Sequence, residues 1–373
     1  MTASERLTSM LDVLDARHRR RFLAPRRGLD FASNDYLGLT AAPEMELAAR
    51  QALDRGVPLG AGGSRLLRGN HCEHEALEAE AAAFFQCEAA LYMGGGFQAN
   101  QAIFASLPAA DDLVLHDALV HASAHEGLRI GRAATRSFAH NDVADARRLL
   151  ADWRRHTPGG QIWIAVESIY SMEGDAAPLQ ELSRLAVEFG AILVVDEAHA
   201  TGVFGPDGRG MAHGLEAETL TLHTCGKALG VAGGLVCGAK VFIDTLINRA
   251  RPFIFATAPA PFSAALVRAS LKLLEDGGGR VAAARARMRH AHDRLRSIGL
   301  PETALNSQII PVVLHEDAAT MKAAAALQDA GFDVRGIRPP TVPRGTSRLR
   351  ISITGNVTCT DITRLARSLA EVT

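Results

Sequence analysis

Between residues 72 and 238 short apolar runs alternate with amphipathic stretches, and this alternation leaves the chain few architectures. The runs are Ala89–Met93, Asp112–Leu115, Thr135–Ala139, Gln161–Val166, Ala191–Val195, Leu220–His223 and Gly233–Cys237. Stretches with helical spacing, such as Glu73–Phe85, Asn141–Trp153 and Leu179–Phe189, lie between most of them. Strand–helix alternation with near-continuous apolar strands predicts an α/β fold with a mostly parallel sheet covered on both faces. Such sheets bind ligands at the carboxyl ends of their strands. Chemistry is therefore expected in the residues that directly follow each run.

The flanks differ. Ser4 to about Arg21 has helical spacing (Leu7, Leu11, Leu14), and Pro25 and Gly28 break it. Two long helical patterns, Pro261–Leu274 and Val281–Ile298, enclose the turn Gly277–Gly279. Strand-like Gln308–Leu314, helical Ala318–Ala330, strand-like Val334–Ile337, strand Arg348–Thr354 and helical Thr360–Glu371 then predict a small α+β domain. The expected segmentation is 1–36 as an N-terminal helix and segment, 37–274 as a large domain, and 275–373 as a small C-terminal domain.

The sharpest local feature is Asp196-Glu197-Ala198-His199, where an apolar strand ends in a carboxylate. An acid after a strand often caps a helix; here it can also face a cationic ligand. The string also spells a helicase DEAH box. That reading requires an upstream phosphate-binding G-x-x-x-x-G-K-[ST]. The one Gly-Lys pair, Gly226-Lys227, lies downstream and is followed by Ala228, so order and chemistry both fail.

Lysine chemistry has four candidates, because only Lys227, Lys240, Lys272 and Lys322 occur among 40 basic residues. Lys272 and Lys322 lie on amphipathic helices, and Lys240 follows a strand with no polar motif around it. Lys227 sits in His223-Thr224-Cys225-Gly226-Lys227-Ala228-Leu229-Gly230, among small residues directly after a strand. A desolvated lysine there sheds its charge more readily and can attack an aldehyde. A carboxylate and a lysine at successive strand ends are what pyridoxal 5′-phosphate (PLP) needs. The carboxylate keeps the ring nitrogen protonated, and the lysine holds the aldehyde.

Three further groups follow strands. Gly94-Gly95-Gly96-Phe97-Gln98 is a glycine-rich strand-to-helix turn whose backbone N–H groups suit a phosphate, and Thr224 can add a hydroxyl. Taken alone, three glycines are more often a plain turn. His121, in Asp117-Ala118-Leu119-Val120-His121-Ala122-Ser123, can stack on a flat ring or simply begin a helix. Ser171 can donate to a ring oxygen, whereas its neighbours Glu167, Glu173 and Asp175 read equally as solvated loop acids.

Together, FASNDYLGL, GGGFQANQA, HDALVHAS, SIYSMEGDAAPL, DEAHATGVFGPDGRG and TCGKALG resemble the α-oxoamine synthases in order and spacing. The resemblance covers nearly the whole chain from about residue 30. It implies a PLP-dependent transferase of fold type I, with a large PLP-binding domain built on a mostly parallel seven-stranded sheet and a small α+β C-terminal domain. It further implies Lys227 as the Schiff-base lysine and proton shuttle, and Asp196 as partner of the pyridinium nitrogen. His199 and Ser171 would contact the ring hydroxyl side, and His121 would stack on the ring. Gly96, Phe97 and Thr224 would hold the phosphate, joined by Thr257 from the neighbouring subunit of a homodimer. Arg350 would bind the amino-acid carboxylate, and Asn34, Tyr36, Thr341 and Arg19 would line the substrate side.

The segment Ile337-Arg338-Pro339-Pro340-Thr341-Val342-Pro343-Arg344-Gly345-Thr346-Ser347-Arg348-Leu349-Arg350 most resembles the branch that condenses L-alanine with a pimeloyl thioester in biotin synthesis. Glycine-using relatives of the 2-amino-3-ketobutyrate ligase and 5-aminolevulinate synthase types share every PLP residue but carry a different version of it. The stretch before FASNDYLGL is shorter than the family usually shows and reads as a truncated hairpin.

Composition sets outer bounds. Forty Lys+Arg against 41 Asp+Glu gives a net charge of -1, which argues against bulk nucleic-acid binding. The apolar runs are too short to span a bilayer, and MTASERLTSM has no apolar signal core, so a cytoplasmic protein is expected. Five scattered cysteines without C-x-x-C spacing predict neither a disulfide framework nor a metal cluster.

Overall fold

Seven strands form one sheet, in the spatial order Ala89–Met93, Gly234–Gly238, Thr219–Thr224, Ala191–Asp196, Ile162–Glu167, Leu113–Asp117 and Ala134–Phe138. Gly234–Gly238 runs antiparallel to both neighbours, and the remaining pairs are parallel. The structure is a computed structural model and describes residues 1–157, 159–277, 279–300 and 305–372. All seven expected runs are strands of this sheet.

Both faces of the sheet are covered at its centre, which is why Ile162–Glu167 and Ala191–Asp196 read as near-continuous apolar runs. Val114, Ile192 and Val194 pack into one core with Ala99, Ile103 and Phe104 of the helix Gly96–Ser106. Leu113, Leu115, Leu193 and Val195 pack into the other with Leu150, Leu182 and Leu185 of the helices Val143–His156 and Leu179–Phe189. Each such Leu, Ile or Val, fully buried, contributes about 1.5–3 kcal/mol. With apolar groups on both sides, neither face of a central strand can turn to water.

Two compact units emerge: 37–171 with 176–282, and 1–36 with 172–175 and 283–373. The first contains the seven-stranded sheet. The helix Pro261–Glu275 packs on Pro43–Asp54 and Cys72–Phe85, and the division falls inside the next helix, Arg280–Arg296, a few residues past 275. Gly278, in the expected glycine turn between these helices, lies outside the described residues.

The second unit joins the N-terminal segment to the C-terminal elements, which the sequence reading had kept apart. Its three-stranded antiparallel sheet has the order Arg335–Ile337, Ser347–Ser352, Ile309–His315. Leu29–Asp30 pairs in parallel with Phe332–Asp333, so this stretch joins a distant strand instead of folding back as a truncated hairpin. The first helix is also shorter than its spacing suggested. It covers Ala3–Ala16, because His18 turns to φ 54° and its N–H bonds back to Asp15 O. Among the described residues no helix is long and apolar enough to cross a membrane.

Candidate active site

Four neighbouring strands end in polar residues: Asp117, Glu167, Asp196 and Thr224. Asp117 is held by the N–H groups of Leu119 and Asn141 and by His140, and Asp196 by two donors of its own. Asp196 Oδ1 accepts the N–H of Ala198 at 3.0 Å, and its Oδ2 accepts Asn100 Nδ2 at 2.8 Å. Asn100 lies on the helix Gly96–Ser106, and its Nδ2 also donates to Ser123 Oγ at 2.9 Å.

That network assigns the tautomer of His121. Ser123 Oγ, which accepts from Asn100, lies 2.7 Å from His121 Nδ1 and donates its hydrogen there, because the Ser123 N–H requires a lone pair on that nitrogen. The N–H of Ser123 also donates to Nδ1, at 3.2 Å, and makes His121 the N-cap of the helix Ala122–Ile130. An imidazole nitrogen accepting two donors carries no proton, which leaves His121 neutral with N–H at Nε2. Burial pushes the His121 pKa down, the Asp196 charge pulls it up, and the Lys227 charge lowers it further. The ring thus lies within the electrostatic reach of both groups. Phe97 meets it edge-on, with centroids 6.5 Å apart.

Lys227 follows the strand Thr219–Thr224 and places Nζ 2.7 Å from Nε2 of buried His199. The start of the helix Gly96–Ser106 abuts the same strand end. A Cβ on Gly96 would lie 3.5 Å from Thr224 Oγ1, and one on Gly234 would lie 2.9 Å from Gly95 C. The glycines therefore let the helix N-terminus approach Thr224. An amine, a supported carboxylate, a neutral imidazole and free N–H groups beside a hydroxyl form a donor set that fits PLP. Ser171, after the strand Ile162–Glu167, donates its N–H to Glu167 Oε2 at 3.3 Å. Thr257 is exposed on the segment following the helix Arg251–Ile254. Lys240 does have a polar partner, Asp244, one turn along its own helix at 2.8 Å.

The second unit gathers three of the predicted substrate residues. Asn34 Oδ1 accepts from Tyr36 Oη at 2.9 Å and from a terminal nitrogen of Arg350 at 3.2 Å. Arg350 is buried and also donates to Ser352 Oγ at 2.8 Å. Burial raises the Tyr36 pKa, with the Arg350 charge opposing it. Arg19 and Thr341 lie apart from this cluster in the hydrogen-bond pattern. Arg19 pairs with Asp317 at 2.7 Å, and Thr341 accepts from Arg21 at 2.8 Å.

Two residues were missed by the sequence reading. Asn100 is 2% exposed, a polar group among Ala99, Ala102 and Ile103 on a buried helix face, and that mismatch was its signal. Glu197 is fully buried beside Asp196. Its Oε2 accepts Ser168 Oγ at 2.7 Å, and burial pushes its pKa up to about 7.

The aminotransferase class I and II family model matches residues 26–369. An 8-amino-7-oxononanoate synthase of Chromobacterium violaceum is 41% identical, over 93% of this chain and 93% of the relative. One of Anaeromyxobacter dehalogenans is 39% identical, over 97% of this chain and 94% of the relative. The chain belongs to the 8-amino-7-oxononanoate synthase family. It is a PLP-dependent acyltransferase of fold type I. Among solved structures, a serine palmitoyltransferase from S. paucimobilis with bound PLP and myriocin superposes with TM-score 0.89 at 28% identity, covering 99% of this chain and 96% of that one. The 8-amino-7-oxononanoate synthase of Francisella tularensis gives TM-score 0.76 at 25% identity, covering 92% and 97%. This membership removes the DEAH translocase reading.

Proposed function

We propose that the chain condenses L-alanine with a pimeloyl thioester, carried by CoA or by an acyl carrier protein. The products are 8-amino-7-oxononanoate, carbon dioxide and the free thiol carrier, a step of biotin synthesis. Lys227, His199, His121 and Asp196 support the PLP chemistry, and the observation that carries the choice of substrates is the segment Ile337–Arg350 in a chain 39–41% identical to 8-amino-7-oxononanoate synthases.

PLP, when bound, supplies an electron sink conjugated to the substrate amine. The protein does the rest. Asp196, fixed by Asn100 and Ala198, keeps the ring nitrogen protonated. His121 would lie against the ring face, and Arg350 would bind the amino-acid carboxylate. Lys227 would hold PLP through its amine and, with that amine free and neutral, would serve as general base for the α-proton of alanine. His199 holds Nζ for that transfer and, with Ser171, faces the ring hydroxyl. The N–H groups of Gly96 and Phe97 and the Thr224 hydroxyl take the phosphate. Thr257 reaches the phosphate of a second copy in a homodimer. Asn34, Tyr36, Thr341 and Arg19 border the acyl and amino-acid substrates, and the enzyme works in the cytoplasm.

The test is release of free thiol from pimeloyl-CoA in the presence of L-alanine, with the product identified by mass. Turnover with glycine and acetyl- or succinyl-CoA in place of that pair would move the assignment to the glycine-using branches.

A further inference from the structure

The strand Thr219–Thr224 breaks the rule its parallel neighbours obey. It reads Thr-Leu-Thr-Leu-His-Thr, with Leu220 and Leu222 fully buried in one core. Thr219, Thr221 and His223 turn to the other face, which opens onto a cavity of ≈ 340 Å³. Cys87, Cys237, Arg209 and His213 also line that cavity.

The two cysteines come from adjacent segments. Cys237 lies on the strand Gly234–Gly238, opposite Ala90, and is buried. Cys87 lies between the helix Cys72–Phe85 and the strand Ala89–Met93 and is partly exposed. Their thiols lie close enough to perturb one another, and Cys87 Sγ–H donates to Ala89 O at 3.2 Å. The contact with Cys237 draws the Cys87 thiol below its ordinary value. Burial, with the Cys87 contact second, pushes Cys237 up. Cys87 is partly exposed and Cys237 buried, so Cys87 is the thiol an incoming reagent meets first and Cys237 the group behind it. Arg209 carries a buried Nε with no hydrogen-bond partner, and this cation faces the same space.

We propose that Cys87 and Cys237 form a redox-active thiol pair that reacts with small anionic disulfides entering this cavity. Cys87 Sγ attacks one sulfur of R–S–S–R; that bond breaks, and the first R–SH leaves with the Cys87 proton. Cys237 Sγ then attacks Cys87 Sγ and expels the second R–SH, which takes the Cys237 proton. The chain is oxidised by two electrons, and one external disulfide is reduced to two thiols. The second step is the slower, because Cys237 holds its proton tightly.

The test uses PLP-loaded enzyme carrying Cys72→Ser and Cys359→Ser, which removes the two exposed thiols. Oxidised glutathione should yield a chain about 2 Da lighter, with the Cys87 and Cys237 peptides linked. Adding Cys237→Ser should arrest the reaction at a Cys87 adduct about 305 Da heavier, and Cys87→Ser should leave the mass unchanged. A neutral reagent, hydroxyethyl disulfide, should react about tenfold more slowly. The parent chain alone decides the central point. A lasting Cys87 adduct with Cys237 still free, or no mass change at all, overturns the pair; equal rates for the two reagents overturn its preference for anions.

Discussion

Lys227 Nζ and His199 Nε2 stand 2.7 Å apart at the end of the strand Thr219–Thr224. A lysine N–H donating to a buried imidazole is fixed in direction, whereas a free side chain of that length samples many rotamers. His199→Phe keeps a ring but removes the acceptor. One lost hydrogen bond of about 1.4 kcal/mol corresponds to a roughly tenfold fall in kcat. Free-thiol release at saturating alanine measures it, and an unchanged kcat would show that His199 does not hold the base.

Lys227→Ala removes the base altogether. The kcat should fall by at least ~10²-fold, the lower end of what a positioned proton acceptor supplies. PLP should still bind, now without a covalent link. Dialysis therefore strips it from the variant, while borohydride fixes it to the wild type only. Condensation at the wild-type rate would refute the proposed mechanism.

Asn100→Leu tests the support of Asp196. The substitution keeps the branched shape of the side chain but withdraws donors from Asp196 Oδ2 and Ser123 Oγ. Leaving this half-buried carboxylate one donor short costs about 1 kcal/mol. The N–H of Ser123 still donates to His121 Nδ1, so the tautomer is kept and the effect falls on Asp196. The expected outcome is a weaker affinity for PLP and a lower kcat, read by cofactor titration and steady-state kinetics. A change in thermal stability alone would reduce Asn100 to packing.

The strands of the large sheet were legible because burial on both faces writes a continuous apolar run, as in Ile162–Val166. Lys227 and Asp196 were legible because a charged side chain at the end of such a run is costly unless something pairs with it. Other features left no local trace. The docking of Leu29–Asp30 beside Phe332–Asp333 joins positions some 300 residues apart, and no periodicity reports a pairing of that range. His18 ends its helix by a backbone turn at an ordinary-looking residue. The alternation of Thr219, Leu220, Thr221 and Leu222 was visible, but it was read as one more buried strand. Its polar face shows only once the cavity beside it is known.

Arg350→Lys addresses the amino-acid carboxylate. Arg350 is buried, and its guanidinium is oriented by Ser352 Oγ and Asn34 Oδ1. A lysine there keeps one charge but loses the planar fork that grips a carboxylate in two places. The KM for alanine should rise by about 10–100-fold, equivalent to about 1.4–2.8 kcal/mol, with a smaller effect on the KM for the thioester. Equal changes in both would place Arg350 outside the alanine site.

Stability against pH separates two buried groups with opposite signs. Burial raises Glu197 from 4.5 to about 7, and burial lowers His223 from 6.5 to about 3. Below pH 4.5 Glu197 is protonated in both folded and unfolded chains. As pH rises towards 7 the unfolded chain ionises first, so the stability tied to the buried proton is lost across that window. At 1.36 kcal/mol per pH unit the loss is about 3 kcal/mol. His223 acts the other way: above pH 6.5 it is neutral in both states, and its contribution is lost as pH falls towards 3, where the unfolded chain gains a proton the folded one refuses. Glu197→Gln keeps an acceptor for Ser168 Oγ but cannot ionise, so it removes only the first slope. Its urea midpoint should exceed that of the wild type at pH 7.5, match it near pH 4, and still fall on acidification because His223 is intact. A wild-type advantage at pH 7.5 would mean that Glu197 is held as a stabilising anion in the folded chain.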